Sequence, residues 1–119
     1  MRYGERTKVK AKIGDVIKFR YTGGTDATPT ILFMNSAISN EKRKLIVGFN
    51  LNYFDNYKDV SEFIQFTHKV MKTGAGPKAV YDRIIKKFPK VKDAYRVYHV
   101  GLISAAVKLD FKTLKTKYI

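Results

Sequence analysis

Apolar and polar residues alternate through the first half of the chain and recur at helical spacing through much of the second. The segment Lys8 to Lys12 sets Lys8, Lys10 and Lys12 against Val9, Ala11 and Ile13, the period of a half-buried strand or an extended arm. Gly14-Asp15 turns the chain. Val16 to Tyr21 follows, rich in β-formers, with Ile17, Phe19 and Tyr21 on one face and Lys18 and Arg20 on the other. After a loop over Thr22 to Asp26, the run Thr30-Ile31-Leu32-Phe33-Met34 is apolar on both faces. It predicts a central, doubly covered strand, with Pro29 at its entrance where a missing N–H does least harm. Asn35 to Asn40 reads as a loop, and Lys42-Arg43-Lys44 ends a second one. Leu45 to Phe54 predicts a third strand, in which Gly48 marks a bulge or a close backbone approach. Short strands joined by turns make a small barrel or a strongly bent sheet.

The period then changes. Asp59 with Glu62 three residues later has the capping-box pattern, and Val60, Phe63, Ile64, Val70 and Met71 form a helical stripe to about Thr73, with Phe66 off register. Gly74-Ala75-Gly76 ends it. Pro77 suits the first turn of a second helix, whose Val80, Tyr81, Ile84, Ile85 and Phe88 recur every three to four residues until Pro89. Ala94 to Val100 alternates again and predicts a late strand, closed by Gly101. From Leu102 to Lys115 the pattern is ambiguous. Ile103, Val107, Phe111 and Leu114 favour a helix, whereas Val107 to Phe111 alternates like a strand; helix is the preferred reading.

Composition narrows the picture. With 119 residues, 45% hydrophobic and 13% aromatic, the chain can bury one core, so a single domain over 1-119 is expected, with residues 1-12 as a basic N-terminal arm. Against 10 Asp and Glu stand 24 Lys and Arg, a formal charge of +14 that repels itself unless an anionic partner offsets it. Nucleic acid, DNA before RNA, is the leading partner. The rival is a cationic face docked on acidic protein neighbours. There is no Cys for disulfides or thiolate metal sites. No run of about 18 apolar residues exists, and Met1-Arg2-Tyr3-Gly4-Glu5 leads into no apolar segment, so neither a membrane span nor a secretory leader is expected.

Templates for catalysis mostly fail. The chain has no phosphate-cradling Gly-rich loop with Lys-Ser/Thr, no paired His spacing for zinc, no Gly-x-Ser-x-Gly and no Cys nucleophile. A nonenzymatic protein without cofactor or metal is expected. His68 and His99 read as packing or surface residues, and Asp55 and Asp59 as loop caps. The cations are more informative because they cluster. The candidate phosphate contacts are Arg2, Arg6, Lys8, Lys10, Lys12, Lys18 and Arg20 near the N-terminus, then Lys42, Arg43 and Lys44, and finally Lys86, Lys87, Lys90, Lys92 and Arg96. Lys86 and Lys87 also stand where they would complement a helix dipole. Tyr95, Arg96 and Tyr98 interleave aromatics with a cation, as stacking platforms do, although a tyrosine that shares its face with Val97 also suits a core.

The pieces Gly14-Asp15-Val16-Ile17-Lys18-Phe19-Arg20-Tyr21, Pro29-Thr30-Ile31-Leu32, Gly48-Phe49-Asn50-Leu51-Asn52-Tyr53-Phe54 and Tyr95-Arg96-Val97-Tyr98 resemble, in that order, segments of small virion proteins of tailed bacteriophages, the DNA end protectors. The first three also resemble an SH3-like barrel. The resemblance implies an α+β fold, a small SH3-like β-barrel or bent antiparallel sheet capped by two or three helices. It further implies a virion protein, present in the host cytoplasm during assembly, that contacts the packaged genome or the portal, neck or tail. The alternative is a structural head, neck or baseplate protein that never touches DNA. If the basic clusters bind phosphate, affinity for duplex DNA falls steeply with salt, and neutralising Lys86, Lys87, Lys90 and Lys92 flattens the log–log slope by up to about 3–4 units in a salt titration.

Overall fold

The computed structural model describes residues 11–110. Five antiparallel strands form one sheet: β1 (Val16–Tyr21), β2 (Thr30–Ile38), β3 (Lys44–Asn50), β4 (Tyr95–His99) and β5 (Ile103–Leu109), in the order β4-β3-β2-β1-β5. Two α-helices, α1 (Tyr57–Met71) and α2 (Pro77–Lys87), are inserted between β3 and β4, and short 3-10 turns cover Leu51–Tyr53, Pro89–Ala94 and Val100–Leu102. The fold is α+β. No described helix is long and apolar enough to cross a membrane.

β2 lies at the centre, as its two apolar faces require. Leu32 and Met34 pack toward the helices with Val16, Phe49, Phe63, Val80 and Ile84, while Ile31 and Phe33 join Ile17, Phe19, Tyr21, Ile46, Tyr98 and Ile103 on the other face. Neither described α-helix lies over that second face. It is covered because the sheet bends onto itself. In a flat sheet β1 and β4 would be separated by three strand spacings, about 14 Å. Instead the Tyr21 and Tyr98 rings are 5.0 Å apart, edge to face, and the Tyr21 hydroxyl accepts the His99 N–H at 3.0 Å.

Two bulges help produce the bend. On β2, Met34 is the extra residue where Phe33 faces Gly48 and Asn35 faces Val47. On β5, Ala105 and Ala106 together oppose Phe19, and Ala105 takes a φ of 53°. Gly48 is needed at the first bulge because a Cβ there would lie 2.5 Å from the Leu32 carbonyl oxygen. β4 and β5 are the sheet's outer strands, so the sheet is bent and open, not a closed barrel.

Several boundaries differ from the sequence reading. β2 runs through Asn35 to Ile38, because pairing with β3 holds these exposed residues extended. The third strand stops at Asn50, whose side chain accepts the Asn52 N–H and starts a 3-10 turn in place of further strand. The N-cap of α1 is Asn56, not Asp59. Its side-chain oxygen accepts the Asp59 N–H at 2.9 Å and its amide donates to the Asp59 carboxylate at 3.1 Å, so the capping pair begins one turn earlier. Residues 103–109 form a strand, not a helix, because β1 offers an open edge whose ladder outweighs the helical preference of Ser104-Ala105-Ala106. The start of the expected arm, residues 1–10, and the end of the ambiguous segment, 111–115, lie outside the described residues.

Gly48→Ala should destabilise the chain by about 1–3 kcal/mol in urea denaturation, since the new methyl meets backbone. Asn56→Ala should cost about 1 kcal/mol by removing the cap.

Candidate nucleic-acid interface

Thr73 lies just past the end of α1, and on the helix Phe66, Lys69 and Val70 stand at intervals of three and four residues from Phe66 and therefore share a face. On α2, Arg83, Lys86 and Lys87 do the same. Together they line a cleft of about 490 Å³ with an apolar floor and four cations, Lys69, Arg83, Lys86 and Lys87. Lys69 lies in the last turn of α1, and Lys86 and Lys87 lie in that of α2, where positive charge is favoured by the helix dipole. Arg83 lies a turn earlier, so dipole complementation does not account for the whole set. The Lys87 ammonium lies 5.4 Å from the Phe66 ring centre and 5.8 Å from that of Phe88. Asp82, the acid of α2, is taken by Lys78 at 3.1 Å. Among the described residues none of the four cations has a carboxylate within 4 Å.

The other basic positions are dispersed. Arg2, Arg6, Lys8 and Lys10 lie outside the described residues. Lys12 is exposed just before the Gly14 turn, and its N–H donates to Asp15 at 2.9 Å. Lys18 and Arg20 are exposed on the face of β1 that carries Val16. Lys42, Arg43 and Lys44 sit at the tip of the β2–β3 hairpin, where Lys42 has a φ of 63° and Arg43 lies 3.6 Å from Glu41. Lys90 lines a second cleft, about 620 Å³, whose Phe54, Phe88 and Val91 are rimmed by Asp55, Asp59, Glu62 and Asp93. Four carboxylates there repel phosphate. Lys92 is exposed on the 3-10 turn. The cations from Lys86 to Arg96 therefore cluster in sequence but divide in space, Lys86 and Lys87 lining one cleft, Lys90 another and Arg96 a third. Lys69 escaped notice because no Lys or Arg adjoins it in sequence, and only its three-residue helical spacing from Phe66 marks it.

Arg96 belongs to a third cleft, of about 560 Å³, at the end of the concave face. Its guanidinium stands 5.2 Å from the Tyr53 ring centre, hydrogen-bonds the Tyr53 hydroxyl and donates to the Tyr95 carbonyl at 3.1 Å. Nearby, the Asp26 carboxylate accepts the Asn50 and Asn52 side-chain amides at 2.9 and 2.8 Å. Neither tyrosine flanking Arg96 is a stacking platform. Tyr95 packs on Phe49 and Tyr81, ring centres 4.8 and 4.6 Å away, and Tyr98 belongs to the concave core. Burial raises the Tyr95 pKa, with Tyr81 adding to it. The Tyr98 hydroxyl is buried without a hydrogen bond of normal geometry. Burial first, then the Asp26 charge, push its pKa up to about 12, against smaller pulls from Arg96 and Asn50. Of the histidines, His68 donates from Nε2 to the Gly14 carbonyl at 2.8 Å, tying α1 to the start of β1, and His99 is exposed.

No protein-family model, no curated protein and no solved structure matches this chain.

The Tyr98 shift has a sign. Its folded pKa lies above the unfolded value of 10.0, so the neutral phenol's contribution is complete below pH 10 and is lost as pH rises toward 12. Tyr98→Phe should leave stability at neutral pH unchanged or raised, and its melting temperature should fall less than the parent's between pH 10 and about 12.

Proposed function

We propose that this chain binds the phosphate backbone of nucleic acid, DNA before RNA, through the cleft between α1 and α2, and that it acts as a binding protein and not as an enzyme. The observation that supports this reading is the set of four cations without carboxylate partners among the described residues, Lys69, Arg83, Lys86 and Lys87, around one apolar floor. Unpaired cations held close together repel one another, and an anion with several oxygens relieves that repulsion while releasing its own counterions. The guanidinium of Arg83 matches two phosphate oxygens at once, and the lysines act as point charges.

The cleft favours backbone over base. Apart from the cations its polar lining is Thr73, with no amide or carboxylate side chain to read a base edge. Contact should therefore be independent of sequence. The resemblance to virion proteins of tailed phages makes a packaged genome the polyanion we favour, with portal, neck or tail proteins as neighbours.

Salt titrations of duplex DNA binding test the assignment. Changing Lys69, Arg83, Lys86 and Lys87 to Gln together should flatten the log–log slope by up to about 3–4 units, whereas changing Lys90 and Lys92 should alter it by less than about 1. An unchanged slope in the fourfold variant would sink the reading. So would copurification with protein partners alone, insensitive to nuclease, which would point to docking on acidic neighbours.

A further inference from the structure

We infer that this chain associates with copies of itself head to tail, the tip of the β2–β3 hairpin of one copy entering the acid-rimmed groove beside Phe54 and Phe88 of the next. The inference does not rest on the nucleic-acid reading. The hairpin supplies the knob. Asn35, Ser36, Ala37 and Ile38 are all exposed, so both faces of the outer part of β2 stand clear of the body. Ile38 is 71% exposed, the most open large apolar side chain among the described residues. Lys44 lies directly across the ladder from it, and Lys42 follows in the turn. The turn is ordered. The Ser39 N–H donates to the Arg43 carbonyl at 2.9 Å, the Lys42 N–H to the Ser39 carbonyl at 2.8 Å, and the Arg43 N–H to the Ser39 hydroxyl at 3.1 Å. Glu41 is taken up by Arg43, and among the described residues Lys42 and Lys44 have no carboxylate within 4 Å.

The groove is the complement of that knob. Its floor of Phe54, Phe88 and Val91 is apolar, and its volume is about 620 Å³. Four of the chain's ten acids, Asp55, Asp59, Glu62 and Asp93, border it although the chain as a whole carries +14. Asp59 accepts the Asn56 amide, yet among the described residues none of the four has a cation within 4 Å, and Lys90 in the same lining pairs with none of them. An occupant that brings an aliphatic group to the floor and cations to the rim covers the first and neutralises the second. The apolar anchor gives affinity and the charges give orientation. The hairpin tip has both. Of the other exposed large apolar residues, Tyr53 lines the groove itself, Val97 and Val107 lie within β4 and β5, and Leu102 lies in a 3-10 turn. None of them stands at the tip of a hairpin.

The fold makes this a contact between copies. β3 begins at the hairpin and ends where the Leu51–Tyr53 turn leads into Phe54 and Asp55. Its seven residues set knob and groove about 20 Å apart, and pairing with both β2 and β4 holds them there. Within one copy they cannot meet. Because the two surfaces differ, each contact leaves one free knob and one free groove, so the assembly extends as an open chain or closes as a ring. A turn seated in a groove buries less than a standard interface, which sets the expected dissociation constant on the order of 0.1 mM. At physiological salt, charges more than about 8 Å apart are screened, so the like charge of two whole copies opposes the contact less than the local pairs favour it.

The test is sedimentation velocity of the full chain, free of nucleic acid, at about 0.15 M salt and up to about 1 mM protein. The weight-average mass should rise with concentration past that of a dimer. Ile38→Ser removes the anchor at an exposed position, and Glu62→Lys with Asp93→Lys reverses the rim without touching the α1 cap. Each variant should keep the parent's circular dichroism and associate at least about tenfold more weakly, as loss of a central anchor or its charge partners requires. Mixed one to one, the two should form a heterodimer that grows no further, since one retains its groove and the other its knob. General repulsion between basic chains predicts no such recovery. The inference is overturned if the parent stays monomeric to 1 mM, if Ile38→Ser associates as the parent does, or if the mixture yields no heterodimer. A monomeric parent whose Asp55 and Glu62 amides shift in NMR on adding a short peptide with one isoleucine between lysines would assign the groove to another protein, and would overturn it equally.

Discussion

The hydroxyl of Tyr21 and the N–H of His99 meet at 3.0 Å from strands that are three places apart in the sheet. This contact and the Phe19–Tyr21–Tyr98 edge-to-face cluster beneath it are possible only because the sheet bends sharply. The bend lets one sheet of modest size carry two cores, one shielded by helices and the other by the sheet's own curvature. With the concave side self-covered, both helices are free to pack on the convex side. The α1–α2 cleft and the concave cleft are consequences of the same curvature, on opposite faces.

Net charge describes this molecule poorly at the scale of a binding site. Of the ten acids in the chain, four rim the groove beside Phe54 and Phe88, where they surround Lys90. Around the α1–α2 cleft, by contrast, the acid of α2 is neutralised by Lys78 and four cations have no carboxylate partner among the described residues. Two neighbouring clefts of opposite character thus flank Phe66, Phe88 and their apolar surroundings. A charge of +14 raises the concentration of any anion near the surface, but it is the helix faces that group cations in space.

Much of the architecture was legible in the chain. The apolar run Thr30 to Met34 announced a central strand because only a doubly covered strand can bury both faces, and Pro77 and Pro89 bracketed α2 by stereochemistry alone. Reading failed where partners decided. Ser104 to Leu109 is a strand because β1 needs a neighbour, which no local window reveals, and Asn35 to Ile38 stays extended for the sake of β3. The candidate site was only half legible. Lys86 and Lys87 stood out as neighbours in sequence, but the chain folds Lys90, Lys92 and Arg96 away from them and brings Lys69 in from the other helix. Charge clustering along a chain becomes charge clustering in space only within one face of one element.

Among the described residues the open sheet leaves two unpaired edges, and each is short or interrupted. β4 has five residues and is bounded by 3-10 turns at both ends, while β5 is broken by the positive φ of Ala105 and carries Lys108 toward its end. Such edges are poor templates for another strand. A chain that gathers along a polymer sees its own copies at high local density, and straight, apolar edges would then seed sheet-to-sheet growth. If the proposed binding crowds copies of this chain together, the described edges give neighbours no continuous backbone ladder to complete, and the crowding stays reversible.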